Sequence, residues 1–463
     1  MNHLHRLRSV LASTKTDLDS PLFVSSHIVY WNSRPVPLAI LTYIDGVSVY
    51  DLSAPEPVLA YNVHLEEQPL AVTPLDDPSQ TIDTPSAPQQ SAVSFQRPAI
   101  LIASQKGPNV LLEVHPLCGS SPVLIPNSIF SAPQPENYTD IQLFSSRHAI
   151  VFSFSHHITI FCPSTLQPLK QVSLPGLPLS FKGRWLTISS AFSDDQQKSS
   201  NNLSSSAPIS HFLVSTTTSV VKTIGSRAAQ FTGHSPAPPS DSSDPDGVYG
   251  VSVIDVVASV QSSSALPTLV GSAVTHARPV LCATFCPRGF RLLIADKHCR
   301  LLSLINLLPT PHLESCLERG ATPAKPVSMS FSHDHRWCAA LTSHGTVHLF
   351  SSTRKSVSQP VEASLRLRHS IGARSEEDKQ GDGRRMFIAI LPGEDVRTYR
   401  VVVYSGTKIY SHLLSENNPS NVSSIGPSLK DIESSSFDPC FQAEARGEKV
   451  DEEDESREIW SRI

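Results

Sequence analysis

No run of the sequence approaches the ~18 consecutive apolar residues that cross a bilayer. The amino terminus, MNHLHRLRSVLASTKTDLDS, also lacks the apolar core of a secretory leader. These absences predict a cytosolic protein with reduced thiols. The eight cysteines (Cys118, Cys162, Cys282, Cys286, Cys299, Cys316, Cys338 and Cys440) form no CxxC pair and have no paired-histidine complement. That spacing argues against a zinc site, and several alternate with apolar neighbours as small buried hydrophobes do. Charge is sparse as well, with 17% of residues charged, a formal net charge of -5 and a pI near 6.4. No global positive field exists to draw in nucleic acid, so any anion binding has to be local. Nucleophile elbows, P-loops, dinucleotide fingerprints and metal-binding helices are missing too, which predicts a protein with no enzymatic activity and no cofactor. The pair His156-His157 lies between two apolar runs without acidic or thiol neighbours, and reads as a hairpin turn.

What is present is proline (38 residues) and a 39% apolar fraction, a loop-rich β composition. Short β-branched or aromatic runs alternate with turns carrying Gly, Asp or His, as antiparallel meanders do. Examples are PLAILTYIDGVSVYDL from Pro37, AILIASQKGPNVLLEV from Ala99, HAIVFSFSHHITIF from His148 and RVVVYSGTKIYSHLL from Arg400. Two stretches align as a repeat, ARPVLCATFCPRGFRLLIADKHCRLLSL from Ala277 and AKPVSMSFSHDHRWCAALTSHGTVHLF from Ala324. They begin about 47 residues apart, near the ~40 to 45 of one four-stranded blade. Units beginning near Pro37, Arg97, Tyr138, Leu177, His276, Ala324 and Met386 make seven. The predicted fold is all-β, a seven-bladed β-propeller of WD-repeat type, with HIVYW from His27 supplying the outer strand that closes the ring.

Three segments break the pattern. Residues 194–246 are rich in Ser, Pro and Asn and predict a disordered insert in the fourth blade. Residues 351–385 predict a second insert, in which Leu365, Leu367 and Ile371 among cations suit a membrane-touching loop. Residues 1–20 read as a disordered amino terminus, 21–414 as the propeller, and 415–463 as an acidic, mostly disordered tail ending in EKVDEEDESREIW.

The combination of KGRWLTIS from Lys182, YGVSVIDV from Tyr249, THARPVLCATFCPRG from Thr275, ERGATPAKPVSMSFSHDHRW from Glu318 and TSHGTVHLF from Thr342 resembles the breast carcinoma amplified sequence 3 family. The resemblance implies a propeller related to the phosphoinositide-binding propellers of autophagy. It further implies action at autophagic membranes and in cytoskeleton-linked migration, without catalysis. Expected partners are a phosphoinositide-containing membrane surface and proteins of the autophagy machinery or cytoskeleton. The expected location is cytoplasmic and peripheral, at the phagophore assembly site or endomembranes, with cytoskeletal or nuclear association. MFIAILPGEDVRTYRVVVYSGTKIYSHLL from Met386 resembles the start of the family's further domain and can complete the last blade, in a compact or incomplete family member.

The related lipid-binding propellers carry a Phe-Arg-Arg-Gly motif whose arginines serve two neighbouring phosphate pockets. Leu317-Glu318-Arg319-Gly320 stands at the matching place, so Arg319 and Gly320 match while Glu318 replaces the first arginine. A carboxylate there repels phosphate. Arg319 offers a rigid fork of donors, and Gly320 lets backbone amides approach the same anion. Ser343, His344 and Thr346 of the next hairpin are expected on the other wall, and His276, Lys297 and His298 in a weaker site on the Glu318 side. The competing expectation is a plain turn at Arg-Gly in a protein-interaction scaffold linked to cytoskeleton and cell migration, without lipid binding.

Overall fold

A computed structural model describes residues 21–425, apart from 77–97, 118–121, 126–129, 132–140, 193–247, 354–360, 369–385 and gaps of one or two residues. Seven sheets follow one another along the chain, antiparallel apart from one short parallel edge pairing on the fifth. The first blade is Phe23–Trp31, Arg34–Tyr43, Gly46–Asp51 and Val58–His64. The second is Pro69–Leu75, Ala99–Lys106 and Asn109–Pro116, with the short edge pieces Val123–Leu124 and Phe130–Ser131. Gln142–Ser145, Ile150–Phe154, His157–Phe161 and Pro168–Ser173 make the third, and Pro178–Lys182, Trp185–Phe192, Val248–Asp255 and Thr268–His276 the fourth. The fifth is Val280–Phe285, Arg291–Asp296, Leu301–Asn306 and His312–Glu318, and the sixth Pro326–Phe331, Trp337–Thr342, Thr346–Ser351 and Leu365–Arg368. Met386–Pro392, Thr398–Ser405, Lys408–Ser415 and Asn418–Ile425 complete the seventh.

The central strands read as near-continuous apolar runs because both faces of each sheet are covered by neighbouring blades. Ala99–Lys106, for example, is buried from its first residue through Ser104. Seven apolar clusters result, one in each seam between blades, as with Leu293, Leu304, Phe331, Cys338 and Phe350 between the fifth and sixth. Each fully buried Leu, Ile or Phe contributes roughly 1.5–3 kcal/mol, so the seams hold the ring together. A helix of one and a half turns, Val256–Gln261, caps the third turn of the fourth blade, with Asp255 accepting from Ala258 N and from Arg184.

The ring does not close as the sequence suggests. Phe23–Trp31 is the inner strand of the first blade, paired in register with Arg34–Tyr43 across a two-residue connection. Closure is by packing of Phe23–Trp31 against Met386–Pro392, over a shared core of Val24, Leu41, Phe387 and Tyr404. Ser26 Oγ donates to Ile388 O at 3.3 Å, and the Arg400 guanidinium donates to the carbonyls of Leu52 and Ala54. The first and second blades therefore begin at Phe23 and Pro69 rather than near Pro37 and Arg97. The predicted insert 351–385 also contains structure. Val361–Glu362 pairs parallel with Leu317 and Glu318 on the edge of the fifth blade, and Leu365–Arg368 is the outer strand of the sixth. Asn418–Ile425 carries the seventh blade past residue 414, where the sequence ends the ring. The insert 194–246 and the acidic run at the carboxyl end lie outside the described residues.

Three imidazoles, those of buried His335 and His348 and that of half-buried His27 on the channel wall, are held neutral in this frame. Burial, with Arg288 and Arg291 nearby, pushes His335 down to about 4. Burial and the Arg319 and Arg366 guanidiniums do the same to His348, and burial with Lys182 to His27, each to about 4. An unfolded imidazole titrates near 6.5, so between about pH 6.5 and 4 the unfolded chain binds protons that the fold excludes. Stability is therefore full above pH 6.5 and falls as the pH drops towards 4. Urea unfolding at stepped pH should show this loss, and a flat profile across that window would contradict the assignment.

Candidate anion-binding site

In a blade of four antiparallel strands, the link to the next blade and the turn between second and third strands emerge on the same face of the ring. Arg319 follows the outer strand of the fifth blade and extends its ladder, its N–H donating to Arg300 O at 3.0 Å. Strand alternation turns Arg319 to the same side as Leu317, which packs into the seam with the sixth blade. Glu318 points to the opposite side, towards the fourth blade. The two motif positions thus serve different seams.

Arg319 is 6% exposed. Its Nε donates to Cys299 O at 2.6 Å, while Nη2 is buried without a hydrogen-bond partner. None of the ion pairs among the described residues involves it. The Cys299 carbonyl is aimed by a turn in which Asp296 Oδ1 accepts from His298 N at 3.0 Å and Cys299 N at 2.6 Å, with Cys299 at φ 46°. Past Arg319 the chain turns at Gly320, whose φ of 140° suits glycine alone, and a Cβ there would lie 4.0 Å from the Arg366 guanidinium. Burial lowers the Arg319 pKa; Cys299 and Asp296 oppose the shift, and Arg366 and Arg300 add to it. The guanidinium remains charged at neutral pH, so the pocket has a positive charge outside any ion pair among the described residues and an unused donor.

Arg366 comes from the outer strand of the sixth blade, directly opposite His348 in the ladder. His348 is 4% exposed with neither ring nitrogen hydrogen-bonded. Thr346 lies two residues before it, on the same strand face. Arg319, Gly320 and Thr346 therefore gather with Arg366 and His348, two residues the sequence did not single out. The signal for Arg366 was the alternation in LRLR, and for His348 the apolar run TVHLFS, which marks a strand but not a site. Ser343 is held at the same end by its N–H to Lys325 O at 2.8 Å, and His344 is exposed at the turn tip. Lys297 and His298 occupy the corresponding turn of the fifth blade, tied in by Ala324 N to His298 O at 3.0 Å. Burial, and Arg278 beside it, lower the His298 pKa. His276 ends the outer strand of the fourth blade, on the Glu318 side and one seam away from Arg319.

A guanidinium with an unused donor and a second guanidinium across Gly320 are donor groups of the kind that pair with a tetrahedral anion, and Thr346 adds a hydroxyl on the strand that pairs with that of Arg366. Among the described residues no cluster of His, Cys, Asp and Glu is suited to hold a metal. Among the described residues no helix is long and apolar enough to cross a membrane.

Residues 134–354 match the family model described as BCAS3, WD40 repeat. Similar solved structures include a complex of KlAtg21 with the coiled coil of AgAtg16, at 14% identity and a TM-score of 0.51, covering 88% of this chain and 99% of that one. Kluyveromyces lactis Hsv2 with its complete loop 6CD matches at 11% identity and a TM-score of 0.51, over 89% and 98% of the two chains. At such identities the likeness establishes the shared fold. No curated protein matches the chain. The matched span runs from the third blade to the third strand of the sixth and includes Arg319, so over residues 134–354 this seven-bladed propeller is similar to the WD40-repeat region of the BCAS3 family.

Proposed function

We propose that the chain is a non-catalytic propeller that binds phosphoinositide headgroups in the seam between its fifth and sixth blades and acts as a scaffold at autophagic membranes. The observation that carries this reading is the Arg319 guanidinium, buried, in no ion pair with a carboxylate among the described residues and with Nη2 unused. An isolated buried charge is costly, and an anionic ligand shared with Arg366 offsets that cost. Glu318 faces the other seam, so the reading assigns one phosphate site rather than two. Lys297, Arg300 and Lys325 are exposed on the same face of the ring, and each cation near an anionic leaflet adds about 1 kcal/mol of attraction. The KlAtg21 structure with a coiled coil supports a protein partner of that type. A peripheral, cytoplasmic location at the phagophore assembly site accords with both contacts.

The test is flotation of the full chain with vesicles of phosphatidylcholine, with and without phosphatidylinositol 3-phosphate. Binding is expected only to the phosphoinositide vesicles, weakening as salt rises. Equal flotation with both vesicle types, or with neither, removes the lipid reading and leaves a protein scaffold linked to the cytoskeleton.

A further inference from the structure

A cavity of about 610 Å³ runs along the ring axis, lined by the inner strands of all seven blades. Its volume falls within the range of small-molecule sites. Its wall is mixed, with Ser180, Thr284 and Ser328 set among apolar residues such as Val72 and Phe181. The inner strands also present their outer edges there, each pairing on one side only. Gln142 Oε1 and Ser145 Oγ, on the inner strand of the third blade, are buried without hydrogen-bond partners, and both residues line the cavity. Lys182 ends the adjacent inner strand of the fourth blade. Burial lowers its pKa, Asp76 of the second blade opposes, and Arg147 of the third adds to the shift. The ammonium also acts on His27 of the first blade. Lys182 thus reaches into the axis, within electrostatic range of three other blades. Lys182 and Asp76 both line the cavity, and neither belongs to the seam site.

We propose that the axial channel binds a small polyhydroxylated anion, a sugar phosphate or sugar acid, with the Lys182 ammonium as its counter-ion. The ammonium is a compact point charge that suits either a phosphate or a carboxylate. The wall hydroxyls and strand edges match the hydroxyls of such a ligand. This site stands independently of the phosphoinositide reading.

The experiment is isothermal titration of the full chain carrying Arg319→Gln, which removes the seam site, with glucose 6-phosphate, gluconate and neutral glucose. Saturable one-to-one binding is expected for at least one of the two anions and not for glucose, and the phosphate and carboxylate arms separate the two sources. On this background Lys182→Met should abolish binding, and Asp76→Asn, which removes the opposing carboxylate, should tighten it severalfold. No binding of either anion, equal binding of glucose, or binding undiminished in Lys182→Met overturns the proposal. Where the Lys182→Met chain fails to fold, the Asp76→Asn arm decides, and an unchanged or weaker affinity there overturns it.

Discussion

Arg319→Gln should lower affinity for phosphatidylinositol 3-phosphate vesicles at least tenfold while leaving the thermal midpoint within about 2 °C of the parent or above it. The two halves of this expectation come from one geometry. Hydrogen bonds to a charged group contribute about 1.5–3 kcal/mol each, and tenfold in affinity is 1.4 kcal/mol. Loss of the guanidinium fork therefore reaches that factor with a single contact. The fold loses the bond from Nε to Cys299 O, but it also loses a buried donor without a partner and the repulsion from Arg366 and Arg300. These changes oppose one another in the free protein. A residue that served only to close the turn would behave differently, its removal lowering the midpoint by several degrees and leaving vesicle binding intact. Flotation and differential scanning calorimetry of the same variant read both quantities.

Arg400→Ala carries the largest expected cost to the fold. Arg400 lies in the second strand of the seventh blade, and its two terminal nitrogens donate to the carbonyls of Leu52 and Ala54 in the first. Among the described residues no strand interlocks the two ends of the ring at this seam, so cross-seam bonds act together with the apolar core of Val24, Leu41 and Phe387. Removing two charge-assisted bonds and leaving two carbonyls unpaired should cost about 2–4 kcal/mol. Arg400→Lys should recover only part of that, because a single ammonium cannot span both carbonyls as the planar fork does. Urea unfolding of the three proteins measures the series. Equal stability of Arg400→Ala and the parent would show that the apolar seam alone closes the ring. Headgroup binding should be unchanged in both variants, since Arg400 is remote in the ring from the fifth and sixth blades.

The blades that were legible in the sequence are those whose strands bury both faces. The repeat at Ala277 and Ala324 folds as the fifth and sixth blades, and both inner strands carry the same register shift, between Val280 and Cys282 and between Pro326 and Ser328. The outer strands were not legible. Asn418–Ile425 reads NPSNVSSI and Val361–Glu362 is two residues long. Neither carries an apolar period long enough to mark a strand. LRLR at Leu365 has the alternation of a strand, but four residues set in a polar, basic stretch do not distinguish it from an insert. Phe23–Trp31 was misplaced because FVSSHIVYW mixes polar and apolar residues on both faces, as an inner strand beside a polar channel can.

The candidate site divides along similar lines. Arg319 and Gly320 stood out because an Arg-Gly pair between two aligned repeats is a local feature. Arg366 and His348 did not, because strand pairing of Leu365–Arg368 with Thr346–Ser351 is what brings them to Arg319. Strand alternation also accounts for Glu318, which looked like an obstacle beside Arg319 and instead faces a different seam.

The central claim, that Arg319 is an anion receptor, is tested most directly by a soluble headgroup, which separates the pocket from general attraction to membranes. Inositol 1,3-bisphosphate added at increasing concentration should raise the thermal midpoint of the parent chain, since a ligand at about 100 times its dissociation constant stabilises the fold by about 2.7 kcal/mol. The same addition should leave Arg319→Gln unmoved. An equal rise in both proteins, or none in the parent at millimolar headgroup, would contradict the account.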